Sequence, residues 1–282
     1  MSAVHRAVAA SLCVDLYEMI AMDAAAPCPR VLVAEDNAVN QRVALRMLAK
    51  LGYDAEAVEN GFLAIEATAR GAYDLVLMDC QMPELDGYEA TARIRTDEDA
   101  GRHLPIVAMT ANALPGDRAR CLAAGMDDYL PKPVTLDALA AVVARWAPRQ
   151  HHRAVEEQVS PTVPAPVADA AALAQLGDPA AGGDPEFLAE VVGIFLGETP
   201  GRLELLRDGL ARGDGDALAR TAHMLRSSCG SLGLRRMQAL CGEIEAYGRQ
   251  GATGAAAPLL ARLRDELGAG EAALNEAIRR AG

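Results

Sequence analysis

Three carboxylates stand at the ends of short apolar runs in the first half of the chain. Glu35 and Asp36 follow the run that begins at Arg30, and Asp79 follows the run over residues 74–78. If these runs are neighbouring strands of a parallel sheet, the carboxylates meet at its carboxyl edge, where such sheets bind ligands. Their mutual repulsion then calls for a cation or a proton. Hard oxygen ligands in a shallow, water-accessible site favour Mg²⁺.

A hydroxyl and an ammonium group follow two further apolar runs. Thr110 lies in the sequence AMTAN, and Lys132 lies in the sequence PKP. A transferring phosphoryl group spreads its charge over three equatorial oxygens, and such groups stabilise that charge. With a metal ion and a lysine beside it, a carboxylate is a competent nucleophile toward phosphorus. The pattern therefore predicts phosphorylation of Asp79 itself.

A single histidine lies inside a strongly periodic helical segment of the second half. An apolar stripe recurs there at intervals of four and three, formed by Leu218, Ala222, Leu225, Cys229 and Leu232. His223 falls one residue off this stripe, and Arg226 and Ser227 share its face. We therefore expect a half-exposed imidazole at the surface, able to attack an aspartyl phosphate. Arg226 is then placed to hold phosphoryl oxygens.

The first half must supply the elements that position the acidic cluster. Apolar runs alternate with helical segments, and the connections are short, which predicts an α/β domain with a five-stranded, doubly wound parallel sheet. The runs cover residues 30–34, 55–58, 74–78, 105–109 and 128–130, and the helical segments cover 38–51, 61–70, 88–97, 116–124 and 136–146.

The second half shows helical periodicity alone. Helices are predicted over 185–197, 201–212, 216–231, 234–248 and 258–280, and their short links indicate an up-and-down bundle with a capping helix. The predicted domains are therefore residues 30–148 and 171–282, joined by a proline-containing linker over 149–170. Residues 1–29 fit neither domain and stay unassigned.

Composition narrows the classes of function. A chain of 282 residues is long enough for two domains with separate cores. Its net charge of −12 has the wrong sign for binding nucleic acid or anionic lipid. Apolar runs are too short to insert into a membrane. The six cysteines are scattered without metal-ligand spacing, as is typical of reduced thiols, and favour a cytoplasmic protein.

Four segments of the first half resemble the receiver domains of two-component response regulators, specifically those attached to hybrid histidine kinases. The segments are VLVAEDNAVNQ, LVLMDCQMPELDGYEA, IVAMTANAL and DDYLPKPV, and the resemblance covers residues 30–148. It implies a flavodoxin-like fold and Asp79 as the phosphoacceptor, with Thr110 and Lys132 binding the phosphoryl group. Tyr129 stands at the family's aromatic switch position. The implied Mg²⁺ ligands are Glu35, Asp36, Asp79 and the backbone carbonyl of Gln81.

The stretch AHMLRSSCGSLG resembles the phosphorylation motif of histidine phosphotransfer (HPt) domains, which are helical bundles. The resemblance covers residues 171–282 and implies a four-helix bundle with His223 as the phosphohistidine. Two positions depart from the family pattern: Arg226 stands where lysine is usual, and Ser227 stands where glycine is usual. Arginine retains the charge, whereas we expect the bulk of serine to slow the approach of a partner.

Together the resemblances imply a phosphorelay protein. Asp79 would receive a phosphoryl group from a sensor histidine kinase, and His223 would exchange one with a receiver aspartate, either in this chain or in a downstream response regulator. The chain shows no glycine-rich ATP lid, so we expect a phosphotransfer intermediate rather than a turnover enzyme. The linker, at roughly 5 to 6 Å times the square root of its length, permits contact between the two domains of one molecule.

The residues also permit other interpretations. The chain also fits the C-terminal part of a hybrid sensor histidine kinase. A non-catalytic receiver-fold interaction module is less favoured, since every acidic, hydroxyl and lysine position is filled. An aspartate-based phosphatase needs a general acid two residues after its nucleophile, where this chain has Gln81. A dinucleotide-binding fold is disfavoured because the first turn reads EDNAVN rather than G-x-G-x-x-G.

Overall fold

The computed structural model describes residues 28–98, 103–110, 115–148, 167–179 and 183–282. Most of the unassigned segment 1–29 and of the predicted linker 149–170 lies outside these ranges. None of the helices within them has the combined length and apolar character that a bilayer-spanning segment requires.

Five parallel strands form one sheet in the order β2-β1-β3-β4-β5, as predicted for a doubly wound fold. β1, β3 and β4 are apolar almost throughout and almost entirely buried, because helices cover both faces of the sheet. This order places the carboxyl ends of β1 and β3 side by side, with Ala34 opposite Met78. The strands are β1 (Arg30–Ala34), β2 (Asp54–Val58), β3 (Leu75–Asp79), β4 (Ile106–Thr110) and β5 (Asp128–Pro131).

Five helices accompany the sheet. Asn37 caps the first, because its side chain accepts hydrogen bonds from the N–H groups of Val39 and Asn40 immediately after the acidic pair. A Cβ atom at Gly87 would lie 2.0 Å from the carbonyl oxygen of Asp79, so only glycine permits this close approach. The helices are α1 (Ala38–Lys50), α2 (Gly61–Arg70), α3 (Gly87–Thr96), α4 (Pro115–Ala123) and α5 (Leu136–Trp146).

The second domain is all-α, as predicted. Its helices surround one apolar core that includes the fully buried Phe195. The chain turns between α7 and α8 at Gly213, whose φ of 65° is left-handed and suits glycine. The helices are α6 (Ala170–Gly177), α7 (Pro185–Arg212), α8 (Gly215–Ser231), α9 (Arg235–Arg249) and α10 (Ala257–Ala281), with a 3₁₀ turn at Thr253–Ala256 before the last.

The last residues assigned to the linker lie against this bundle. The backbone N–H of Asp169 donates to the carbonyl of Gly233, and its side chain caps α6. The same carboxylate pairs with Arg235 at 3.1 Å. These contacts tie residue 169 to the helical domain.

The prediction of separate helices over 185–197 and 201–212 is wrong, because α7 continues without a break through Pro200. A proline inside a helix removes one hydrogen bond and costs about 3 kcal/mol. Burial of a continuous face on both sides of the proline offsets that cost, and Pro200 itself is exposed. The buried residues of this face include Val191, Val192, Phe195, Thr199, Leu203 and Leu206.

The two domains contact each other through α1 of the first and through α7 and α8 of the second. Val39 and Val43 of α1 belong to the same apolar cluster as the bundle core. Around this contact, Arg46 pairs with Asp184 at 2.5 Å, and Arg42 pairs with Glu190 at 3.2 Å. The helix that follows the acidic pair of β1 is therefore the one on which the bundle docks.

Candidate functional site

The three predicted carboxylates form one cluster at the carboxyl edge of the sheet. Ligand oxygens of Glu35, Asp36 and Asp79 all lie within 4.8 Å of one another, because β1 and β3 are adjacent and end at the same level. Lys132 reaches them from the end of β5. Its Nζ donates to Oε2 of Glu35 and to Oδ2 of Asp79, at 2.6 Å each.

The electrostatics of this cluster show an excess of negative charge. Burial raises the pKa of Glu35 to about 7, and the carboxylates of Asp79 and Asp36 add to the effect. Burial, followed by the charge of Asp79, raises the pKa of Asp36 to about 6. Burial alone would lower the pKa of Lys132, but the charges of Asp79 and Glu35 outweigh it and raise that pKa. One lysine thus leaves the cluster short of positive charge.

Three other predicted residues lie around the cluster. Gln81 is exposed, and its backbone N–H donates to Oδ1 of Asp79 at 3.0 Å. Thr110 is buried at the end of β4, and its carbonyl accepts from the N–H of Lys132 at 2.7 Å. Tyr129 is half-buried against the apolar cluster on one face of the sheet. The metal, phosphoryl and switch roles of these residues stay predictions.

The expectation of a half-exposed His223 is wrong, since the residue is only 8% exposed. The receiver-like domain lies over it. His223 lines a cavity of about 20 Å³ together with Lys132 and Pro133, a space that holds about one water molecule. It also lines an open cleft of about 450 Å³ together with Asp36 and Gln81. Docking of the two domains therefore brings the imidazole to the acidic cluster.

Glu245 was not found by the sequence analysis. Its Oε1 lies 3.0 Å from Nδ1 of His223, and its Oε2 accepts from Arg226 at 3.0 Å. Burial opposes ionisation of this carboxyl, but the hydrogen bond and charge of His223, followed by Arg226, hold the pKa of Glu245 below its ordinary value. A carboxylate at Nδ1 favours the tautomer in which Nε2 is the free nucleophile. Glu245 lies on α9, 22 residues from His223, and no local motif marks it.

The face of α8 beside His223 carries a second contact with the first domain. Ser227, whose bulk is predicted to slow the approach of a partner, accepts a hydrogen bond from Nδ2 of Asn40 at 2.7 Å. Ser231 donates to Oδ1 of the same asparagine at 2.7 Å. Arg226 lines the small cavity with His223 and Lys132, and its placement there is consistent with the predicted contact to phosphoryl oxygens.

Comparison with known protein families places two models in order along the chain. The model described as "Response regulator receiver domain" matches residues 31–144. The model described as "Hpt domain" matches residues 190–273. The two matches coincide with the α/β domain and with most of the helical domain.

Curated relatives match one or both domains. Sensor protein GacS of Pseudomonas syringae pv. syringae is 34% identical over 234 residues, covering 79% of this chain and 25% of GacS. Sensor histidine kinase RcsC of Salmonella typhi is 44% identical over 119 residues, covering 42% of this chain and 12% of RcsC. The chain therefore spans a quarter of the length of GacS and less of RcsC.

Two solved structures each match less than half of this chain. The receiver domain of sensor histidine kinase PA1611 from Pseudomonas aeruginosa PAO1, which carries a magnesium ion in its active-site cleft, is 48% identical with a TM-score of 0.40. The match covers 43% of this chain and 98% of that one. The co-crystal of the Saccharomyces cerevisiae phosphotransfer protein Ypd1 with the Ssk1 receiver domain matches at 33% identity and a TM-score of 0.40. It covers 43% of this chain and 89% of the matched chain.

Proposed function

Because this chain belongs to the two-component signalling proteins that carry a receiver domain followed by an Hpt domain, we propose that it passes phosphoryl groups directly between Asp79 and His223. One observation carries the proposal. His223 and Lys132 line the same cavity, and Nζ of Lys132 bonds to Asp79 at 2.6 Å. Lys132 thus connects the cavity beside His223 with the carboxylate of Asp79.

The receiver site has the donor set that Mg²⁺ prefers. We infer that Glu35, Asp36, Asp79 and the backbone carbonyl of Gln81 hold the ion. Three carboxylates share one lysine there, and burial, followed by the neighbouring carboxylates, raises the pKa values of Glu35 and Asp36, which supports a further cation at this site. When bound, the ion would neutralise charge on the phosphoryl oxygens.

Phosphoryl transfer from the receiver to the Hpt domain is a single displacement at phosphorus. The lone pair on Nε2 of His223 forms a bond to phosphorus, and the bond from phosphorus to the Asp79 oxygen breaks. The electron pair returns to Asp79, which becomes a carboxylate. The Nδ1 proton stays on the ring, now cationic, and Glu245 faces that charge at 3.0 Å. The reverse step follows the same path.

Other residues near the site have supporting roles in the transfer. Lys132 offsets the negative charge of Asp79 before and after transfer. Thr110, at the end of the neighbouring strand, would bind a phosphoryl oxygen, and Arg226 would bind another from the bundle side. Tyr129 would respond to the movement of Thr110 when the phosphoryl group arrives.

The partners follow from the chemistry of each half. A sensor histidine kinase is the proposed donor to Asp79, and a downstream receiver aspartate is the proposed acceptor from His223. The match to GacS runs across both domains, which supports the same order of receiver and Hpt domain in a hybrid kinase relay. The non-catalytic alternative is less favoured, since the acidic cluster, Lys132 and His223 lie together.

Labelling with acetyl phosphate and Mg²⁺ tests the assignment. Wild-type protein should acquire a base-labile label on Asp79, followed by an acid-labile label on His223. His223→Gln should retain only the base-labile label, and Asp79→Asn should acquire neither. Asp97→Asn, an exposed change in the same domain, serves as the matched control. A base-labile label on Asp79→Asn would refute the acceptor assignment, and an acid-labile label on that variant would show that His223 is loaded without Asp79.

A further inference from the structure

Two asparagines of the receiver domain make hydrogen bonds to α8 of the Hpt domain. Nδ2 of Asn37 donates to Oγ of Ser228 at 2.7 Å and to the carbonyl of Met224 at 2.9 Å. Nδ2 of Asn40 donates to Oγ of Ser227 at 2.7 Å, and Ser231 donates to Oδ1 of Asn40 at 2.7 Å. We name these contacts, between Asn37 and Asn40 on one side and Ser227, Ser228 and Ser231 on the other, the asparagine–serine clamp.

The clamp satisfies every polar atom of both amides. Asn37 uses its oxygen to cap α1 and both amide protons to reach α8. Asn40 uses one amide proton for Ser227 and the other for Oε1 of Glu35 at 2.8 Å. Both asparagines are buried, at 0% and 8% exposure. A partner without matching groups would leave these amides buried and unpaired, which is costly.

The clamp also explains a departure from the Hpt motif. Ser227 stands where the family usually has glycine, and glycine has no hydroxyl to offer Asn40. The serine therefore adds an acceptor at the point where this receiver places a donor. Because Asn40 is held by Glu35 and Asn37 by its own helix, both amides are oriented before the bundle docks, which favours binding.

From this geometry we propose that the asparagine–serine clamp makes the Hpt domain select its own receiver over receivers that lack the two asparagines. The inference rests on the proposed function, since selection concerns the transfer between Asp79 and His223. A receiver with an apolar residue at the position of Asn40 would leave the half-buried hydroxyls of Ser227 and Ser231 without these hydrogen bonds. Such a receiver would transfer more slowly to this Hpt domain.

Transfer between two full-length chains tests the clamp. The donor is His223→Gln, phosphorylated at Asp79 with acetyl phosphate and freed of reagent, and the acceptor is Asp79→Asn. The donor is also prepared with Asn40→Ala, and the acceptor with Ser227→Ala, which removes the hydroxyl and keeps the Cβ. Rates are normalised to the measured label on each donor, because Asn40 also contacts Glu35.

Each clamp substitution should lower the second-order rate of transfer about tenfold, equivalent to about 1.4 kcal/mol. The pair of substitutions together should cost little more than Asn40→Ala alone, since the hydrogen bond that Ser227→Ala removes is already lost in Asn40→Ala. Thr96→Ala in the donor and Gln250→Ala in the acceptor, both exposed, should leave the rate unchanged.

Different failures have different meanings. If the donor and acceptor that lack clamp substitutions exchange the phosphoryl group, and the clamp variants do so equally fast, the clamp is wrong and the proposed function stands. The same conclusion follows if the effects of Asn40→Ala and Ser227→Ala on the rate multiply independently. If the donor is labelled but no acceptor receives the phosphoryl group, direct exchange is wrong and the clamp inference falls with it. Retained helical circular dichroism in Ser227→Ala excludes misfolding as the cause of a slow rate.

Discussion

Replacing Glu245 by glutamine changes the environment of His223 while keeping the size of the buried side chain. Glutamine retains one acceptor oxygen but has no charge, so His223 and Arg226 lose their common carboxylate. Hydrogen bonds to charged groups contribute about 1.5–3 kcal/mol each. The pairs with Arg226 and Arg249 count for less, because those side chains are 27% and 49% exposed. We expect the free energy of unfolding to fall by about 2–3 kcal/mol.

The same change should slow phosphoryl transfer more than a purely structural loss would. The contact from Nδ1 to Glu245 strengthens as the ring becomes cationic, so its loss should raise the barrier by about 1.4–2.8 kcal/mol and lower the rate ten- to hundredfold. The assay is the rate of acid-labile labelling of His223, with ¹⁵N spectra of the imidazole reporting its tautomer. Glu243→Gln, an exposed change on the same helix, is the control.

The pH dependence supplies an independent check on Glu245. Its pKa in the folded protein lies below the ordinary value of 4.5, so the carboxylate stabilises the fold above that value. This contribution is lost as the pH falls through the lowered pKa, and the stability of wild-type protein should then approach that of Glu245→Gln. The reasoning is refuted if Glu245→Gln transfers at the wild-type rate with an unchanged tautomer spectrum.

Three further changes test the acidic cluster and the long helix. Lys132→Met should lower the free energy of unfolding by about 3 kcal/mol at pH 8, because it leaves Glu35 and Asp79 buried without a cation. Mg²⁺ should restore part of this loss in urea titrations. A loss of stability that Mg²⁺ does not change would contradict the prediction. The affinity for Mg²⁺, measured by calorimetry, should fall from pH 8 to pH 6, because protons compete with the ion at Glu35 and Asp36, whose pKa values are about 7 and 6. A Kd that does not change with pH would count against these residues as ligands. Pro200→Ala should raise the free energy of unfolding by about 1–3 kcal/mol, because the proline is exposed inside a continuous helix; a lower urea midpoint would show that Pro200 stabilises α7.

The sheet and its acidic edge were predictable because their signals are local. Buried parallel strands read as nearly continuous apolar runs, and the polar residue that ends each run marks the carboxyl edge. The sequence pattern therefore places Glu35 and Asp79 together at this edge. The break predicted near Pro200 failed for the opposite reason, since local propensity favours a stop there but burial on both sides of the proline outweighs it.

The sequence alone determined what each domain folds into and predicts which groups react. Asp79, Lys132 and His223 are identified by residue type within periodic segments, and periodicity depends only on neighbours in the chain. Tertiary structure alone decided that Glu245 orients the imidazole and that the receiver covers it. Those contacts join surfaces far apart in sequence, as when Asn40 meets Ser227 across 187 positions. Complementarity of that kind depends on how two finished folds pack, and no local pattern of residues encodes it.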